Sequence, residues 1–327
     1  MQFYSSMAHP AKKIDIEVVE VGLRDGLQNL AAPMATDAKI TWIRAAAAAG
    51  ISEIEVCSFV PVKRFPQFAD NAAVLADAAA IPGLTVSALT PNARGAMDAL
   101  AAGVRKLSFT LSASRRHSLA NVRKTPEEQL LEFRRLIEVR DAQGGRAHVT
   151  GGLSTAFGCT LEGRISESTV CELAAGLVAA GADDVSLADT VGYASPGDIR
   201  RVVMAVRREI GDKLSALHLH DTRGLGLANV MAGLECGIRV FDASLGGLGG
   251  CPYAPGASGN ICTEDLVFML EGMGLNTGID LPVLLEVRAT VERLLPAAEF
   301  HGALGKAGLP LRWAEQWQTH ARKIGTP

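Results

Sequence analysis

The 327-residue sequence has no excess of charge of either sign: 32 Lys and Arg against 35 Asp and Glu give a formal net charge of −3. No global basic field is therefore present to hold nucleic acid or an anionic membrane, and any phosphate must be met locally. Long apolar runs are also missing. Residues 1 to 13 contain no apolar segment of signal-peptide length, the alanine run at 45–49 is short, and no later stretch stays apolar far enough to span a bilayer. Cysteine is sparse, with six residues at 57, 159, 171, 236, 251 and 262 and no Cys-x-x-Cys pair. Such scatter fits reduced thiols in a cytoplasmic protein and argues against zinc held by thiolates. The expectation is a cytoplasmic protein without nucleic-acid or membrane partners.

What is present is apolar bulk. At 48% hydrophobic residues the chain can bury a large core, and its length suggests about two domains unless it forms a barrel. From Asp15 onward one unit recurs: a short β-branched apolar run, a polar or Gly/Pro junction, then an alanine-rich helical segment. Strands are predicted at Ile16–Val21, Glu53–Ser58, Thr85–Leu89, Val104–Leu111, Ala147–Leu153, Asp184–Ala188, Leu214–His220 and Ile238–Ser244. Helices are predicted between them at 36–49, 67–80, 92–102, 126–143, 167–180, 196–210, 224–236 and 264–273, several ending in a Gly suited to a left-handed C-cap. Strict alternation implies parallel pairing with right-handed crossovers, and eight units close an α/β (β/α)₈ TIM barrel. The barrel is expected over 14–276. A C-terminal helical extension packed on it is expected over 277–327, with a helix near 279–295 and two tryptophans, Trp313 and Trp317.

The stretch Gly246 to Asn260, Gly-Gly-Leu-Gly-Gly-Cys-Pro-Tyr-Ala-Pro-Gly-Ala-Ser-Gly-Asn, is too rich in Gly and Pro to continue a helix or a central strand. It reads as a loop after the eighth strand, carrying one thiol, Cys251, and ending on one amide, Asn260. Barrel chemistry sits at the C-terminal ends of the strands. There the sequence offers Arg24-Asp25-Gly26 after the first strand, Glu55 and Ser58 on the second, Asp189 after the sixth and His218-Leu219-His220-Asp221 on the seventh. His218 and His220 are two apart on a strand and leave the same face, with Leu219 toward the helices. With Asp25 and Asn260 they make a mixed nitrogen and oxygen ligand set that favours Mg²⁺ or Mn²⁺ and keeps Zn²⁺ or Fe²⁺ in play.

Glu20-Val21-Gly22-Leu23-Arg24-Asp25-Gly26-Leu27-Gln28-Asn29, Ser58-Phe59-Val60, His218-Leu219-His220-Asp221-Thr222 and the loop 246–260 resemble 3-hydroxy-3-methylglutaryl-CoA lyases over roughly residues 14 to 290. Arg-Asp-Gly and His-x-His are shared with the wider superfamily of metal-dependent lyases and synthases; the Gly-Gly-Cys-Pro-Tyr-Ala segment points to the lyase branch. The resemblance implies cleavage of an acyl-CoA substrate between C2 and C3, with a divalent cation on Asp25, His218, His220 and Asn260 acidifying the C3 hydroxyl. It further implies a base at His218, Asp189 or Asp25, charge stabilisation by Arg24, orientation by Glu55, and an acid, Cys251, that protonates the departing enolate carbon. Substrate and CoA contacts fall to Gln28, Ser58, Arg115, Arg116, Asn121 and Lys124, and the assembly to a homo-oligomer, a dimer or tetramer.

Leu23, Arg223 and the segment 114–124 depart from the family's usual residues, all in loops around the mouth. A related thioester such as citramalyl-CoA is therefore the nearest rival substrate. A condensing synthase and a non-catalytic metal-binding barrel are the further alternatives.

Overall fold

The computed structural model describes residues 13–250, 259–311 and 313. Eight parallel strands close a barrel in sequence order: β1 (Glu17–Glu20), β2 (Glu53–Ser58), β3 (Thr85–Leu89), β4 (Lys106–Ser112), β5 (His148–Ser154), β6 (Asp184–Asp189), β7 (Leu214–Leu219) and β8 (Val240–Ala243). β1 pairs with β8 as well as with β2, so the sheet has no edge. Around it run α1 (Thr36–Ala48), α2 (Asn71–Ala78), α3 (Ala93–Ala101), α4 (Arg115–Val122), α5 (Pro126–Ala142), α6 (Glu167–Ala179), α7 (Pro196–Ile210), α8 (Gly226–Glu235) and α9 (Thr263–Gly272). Each predicted strand and helix is found within a few residues of its expected bounds. The segment 115–122, expected as part of a mouth loop, is instead the helix α4, which Ser114 caps by accepting the His117 amide.

The two-residue period of the strands sorts the interior into two compartments. Val18, Ile54, Leu107, Val149, Val185, Leu217 and Phe241 are buried against the helices. Their neighbours Glu55, Ser108, Thr150, Ser186, His218 and Asp242 line the cavity at the barrel mouth. Helix starts are fixed by side chains, most completely at α5 and α7, where Thr125 with Glu128 and Ser195 with Asp198 form capping boxes ahead of a first-turn proline.

The C-terminal segment adds α10 (Leu281–Leu294), packed on α1 and joined to it by the Asp280 amide donating to the Ala49 carbonyl at 2.8 Å. The short α11 (Leu304–Ala307) is anchored by the Asp265 carboxylate, which accepts the amides of Ala303 and Leu304 at 2.7 and 2.8 Å. Trp313 stacks on Phe268 with ring centroids 4.7 Å apart, whereas Trp317 lies outside the described residues. Among the described residues no helix is long and apolar enough to cross a membrane.

Candidate active site

β1 does not simply end. Its chain turns through one wide π-helical turn, Gly22–Gly26, in which the amides of Arg24, Asp25 and Gly26 all donate to the Val21 carbonyl. Leu23 points into the core, while Arg24 and Asp25 reach the cavity. The turn packs directly on α1: a Cβ on Gly22 would lie 2.7 Å from the Trp42 ring and 2.5 Å from Glu20 Oε1. Arg24 donates through Nε to Glu55, which also accepts from Ser108, and through Nη1 to Asp25 at 2.7 Å. Burial disfavours its charge, but the charge of Glu55 and then that of Asp25 outweigh this and raise its pKa further. Burial likewise works against ionised Asp25, yet Arg24, His218 and His220 bring its carboxyl down to about 2.

On β7, His218 and His220 face the same side, as their spacing predicts, and Leu219 is fully buried on the other. One ligand atom from each of Asp25, His218 and His220 lies within 4.8 Å of the others. His218 and His220 present their Nε2 atoms to each other at 3.0 Å. The second nitrogen of His218, Nδ1, is 3.0 Å from Asp242 Oδ2 on β8. Burial opposes a charged His218, and the hydrogen bond and charge of Asp242 overcome it, so its pKa is raised. Burial and the neighbouring His218 push His220 down to about 4.

Asn260 follows the long loop and bridges to the His220 backbone. Its Nδ2 donates to Asp25 Oδ2 at 2.7 Å and to the Leu248 carbonyl at 3.0 Å, and its buried Oδ1 has no partner among the described residues. The two ends of that loop touch: a Cβ on Gly259 would fall 2.2 Å from the Gly249 carbonyl oxygen, and both glycines have positive φ, 89° and 120°. Cys251, the expected acid, lies outside the described residues.

A divalent cation fits this donor set. With the His218 Nδ1–H given to Asp242, its Nε2 carries a lone pair aimed at a second imidazole nitrogen beside an ionised carboxylate, and Asn260 adds an orphaned amide oxygen. In the absence of a cation one imidazole proton joins the two Nε2 atoms at 3.0 Å, and a divalent cation would take that proton's place beside the Asp25 carboxylate and the Asn260 amide oxygen.

The mouth cavity, about 380 Å³, is lined by Arg24, Asp25, Gln28, Glu55, His117, Asn121, His218, His220 and Asp242 among others. An adjoining hollow of about 470 Å³ shares Gln28, Arg64, Phe65 and Asn121 and extends to Arg123 and Lys124. Of the other residues expected at the site, Lys124 reaches only the outer hollow, and Ser58, Arg115, Arg116 and Asp189 line neither. Ser58 is fully buried and lines neither hollow, and its carbonyl accepts from Asn71. Arg115 pairs with the exposed Glu127, Arg116 donates to the Leu161 carbonyl, and Lys124 pairs with Glu132 at 2.8 Å. The Asp189 carboxylate accepts the amides of Tyr193 and Ala194 at 2.8 and 3.1 Å, a capping role, and burial raises it to about 6. Asp242 and His117 line the cavity but were not singled out as site residues in the sequence.

Residues 15–291 match the family described as HMGL-like. The mitochondrial hydroxymethylglutaryl-CoA lyase of Macaca fascicularis is 43% identical over 271 residues, 83% of this chain and 83% of the relative. The cytoplasmic 3-hydroxy-3-methylglutaryl-CoA lyase of Rattus norvegicus is 42% identical over 83% of this chain and 78% of its own. Among solved structures, an HMG-CoA lyase from Acenitobacter baumannii in complex with coenzyme A and 3-methylmalate superposes with a TM-score of 0.85 at 42% identity, covering 91% of this chain and 96% of that one. A matched barrel, with the Arg-Asp turn and the His-x-His strand brought together at its mouth, agrees with these likenesses: the chain belongs to the hydroxymethylglutaryl-CoA lyase (HMGL-like) family.

Proposed function

We propose that the chain cleaves 3-hydroxy-3-methylglutaryl-CoA to acetyl-CoA and acetoacetate. The observation that carries the reading is the convergence of Asp25, His218 and His220 within 4.8 Å, beside Arg24 and at the floor of a cavity large enough for an acyl thioester. A divalent cation, Mg²⁺ or Mn²⁺, held by Asp25, His218, His220 and Asn260 would supply Lewis acidity to the C3 hydroxyl.

His218 takes the hydroxyl proton in this reading, because it lines the cavity and Asp242 supports the positive ring from Nδ1. Its one lone pair would serve either a cation or a proton, so Asp25, His220 and Asn260 are the residues that would hold a cation while His218 acts as base. Asp25 is too strongly stabilised as an anion to be the base, and Asp189 is engaged by two amides. As the C2–C3 bond breaks, the electron pair passes to the thioester, and Arg24 meets the charge on its oxygen from a position already fixed by Glu55 and Asp25. Cys251 gives its proton to C2. Gln28 and Asn121 flank the passage between the two hollows, where the pantetheine arm would lie, with Lys124 at the outer hollow. A homo-oligomer residing in the cytoplasm accompanies this reading.

The test is release of acetyl-CoA on incubation with Mg²⁺ or Mn²⁺ and a panel of acyl-CoAs. Cleavage of the hydroxymethylglutaryl thioester is expected, and silence across the panel would overturn the reading. Cys251→Ala should lose turnover while keeping its affinity for Mn²⁺, whereas His220→Ala should lose the Mn²⁺ itself, as read by calorimetry.

A further inference from the structure

The chain carries a net charge of −3, so a phosphate has to be met by cations gathered locally. The outer hollow of about 470 Å³ gathers them: its charged lining residues are Arg64, Arg123, Lys124 and a single acid, Glu132. Lys124 is engaged by Glu132 at 2.8 Å. Arg24, on the inner side, is held by Glu55 and Asp25. Arg64 and Arg123 have no acidic partner among the described residues. They leave the hollow with two guanidinium groups, planar forks that match phosphate oxygens two at a time.

Both are set in position by their surroundings. Arg64 follows β2 in a turn where its amide donates to the Pro61 carbonyl at 2.9 Å, and its guanidinium lies over the Phe65 ring, 5.3 Å from the centroid. A ring face holds a cation without consuming its N–H groups, so the fork stays available. Arg64 lines both hollows and therefore stands at the passage between them. Arg123 ends α4 with φ of 58° and ψ of 28°, a left-handed conformation that glycine adopts at helix ends without a Cβ penalty. It is pinned from both sides: the Arg123 amide donates to the Leu119 carbonyl at 3.1 Å, and Ser118 Oγ donates to the Lys124 carbonyl. A position that glycine would occupy at lower cost is here given to a cation that lines the hollow.

We propose that Arg64 and Arg123 bind phosphate of the coenzyme A thioester from two sides of the outer hollow, the turn after β2 and the end of α4. They thereby select a nucleotide-bearing carrier over bare pantetheine. This rests on the acyl-CoA reading of the mouth. Coenzyme A has two phosphate sources, the diphosphate that joins the pantetheine arm to the nucleotide and the 3′-phosphate on the ribose, and both present the same chemistry to a guanidinium.

Two readouts test this: calorimetric binding of coenzyme A, and kcat/KM for the hydroxymethylglutaryl thioesters of coenzyme A, dephospho-coenzyme A and pantetheine. Both arginines are exposed, so Arg64→Gln and Arg123→Gln should fold as the wild type does. Each should weaken coenzyme A binding by about 10-fold and lower kcat/KM for its thioester alike, through KM with kcat kept, while the pantetheine thioester is unaffected. A loss that persists with the dephospho thioester assigns the arginine to the diphosphate; a loss that disappears assigns it to the 3′-phosphate. Unchanged coenzyme A affinity in either variant, or an equal loss with the pantetheine thioester, overturns the proposal. A wild type that binds coenzyme A through these arginines yet cleaves no thioester removes the lyase reading alone, and an active enzyme indifferent to both arginines removes this inference alone.

Discussion

Arg24 holds two carboxylates at once, donating Nε to Glu55 and Nη1 to Asp25. That fork needs a planar guanidinium with several donors, and a lysine ammonium cannot reproduce it. Arg24→Lys should therefore lower kcat by about 10²- to 10³-fold with little change in KM, as expected for a donor that matters most when charge develops. A rise in KM with kcat kept would reassign Arg24 to simple substrate binding. The residues of this site differ in how readable they were. His218 and His220 announce themselves by a two-residue spacing on a strand, and Asp25 by its place after β1. Asp242 carries no such mark: it is one acid in an apolar strand, and only the β7–β8 register sets it beside His218. Asp189 is less readable: an acid at a strand end fits a catalytic or a capping role in sequence, and here its oxygens accept two amides of the turn that follows.

Among the elements, strands and long helices were legible because their burial is periodic and apolar. α4 was not, since the residues it buries are His117 and Ser118, and a polar pair leaves no hydrophobic stripe to detect. Only Ser114, a good N-cap, hinted at it. The π turn after β1 was equally hidden, as its sole local mark is Gly22 against the Trp42 ring. Gly22→Ala forces a methyl into that contact and should cost about 1 to 3 kcal/mol in urea unfolding, with a further loss of activity because the same turn aims Arg24 and Asp25. An alanine variant with wild-type stability and turnover would show that the turn relaxes freely.

At the scale of the whole molecule, β1, β8 and the start of the Gly-rich loop meet on Glu20. Its carboxyl accepts the amides of Gly22 and Leu245 and the hydroxyl of Thr263. Burial raises its pKa from 4.5 to about 7, with the Leu245 amide and the Thr263 hydroxyl opposing the rise. The folded chain therefore binds this proton more tightly than the unfolded chain does. Its contribution to stability is whole below the unfolded value of 4.5 and shrinks as pH rises toward about 7, by roughly 3 kcal/mol in all. Thermal unfolding of the wild type should fall by about 5 °C over that window on this account, and Glu20→Gln should remove that part of the slope. Equal slopes in the two proteins would place the pH dependence elsewhere. The contact between Gly249 and Gly259 has its own consequence. Because the backbone leaves and returns at a single point already fixed by the barrel, the residues between can change in length and composition without moving Asp25, His220 or Asn260. The stretch joining the two glycines is thus an exchangeable cassette, and such a barrel can diversify at its mouth by replacing it while the cluster of Asp25, His218 and His220 is inherited intact.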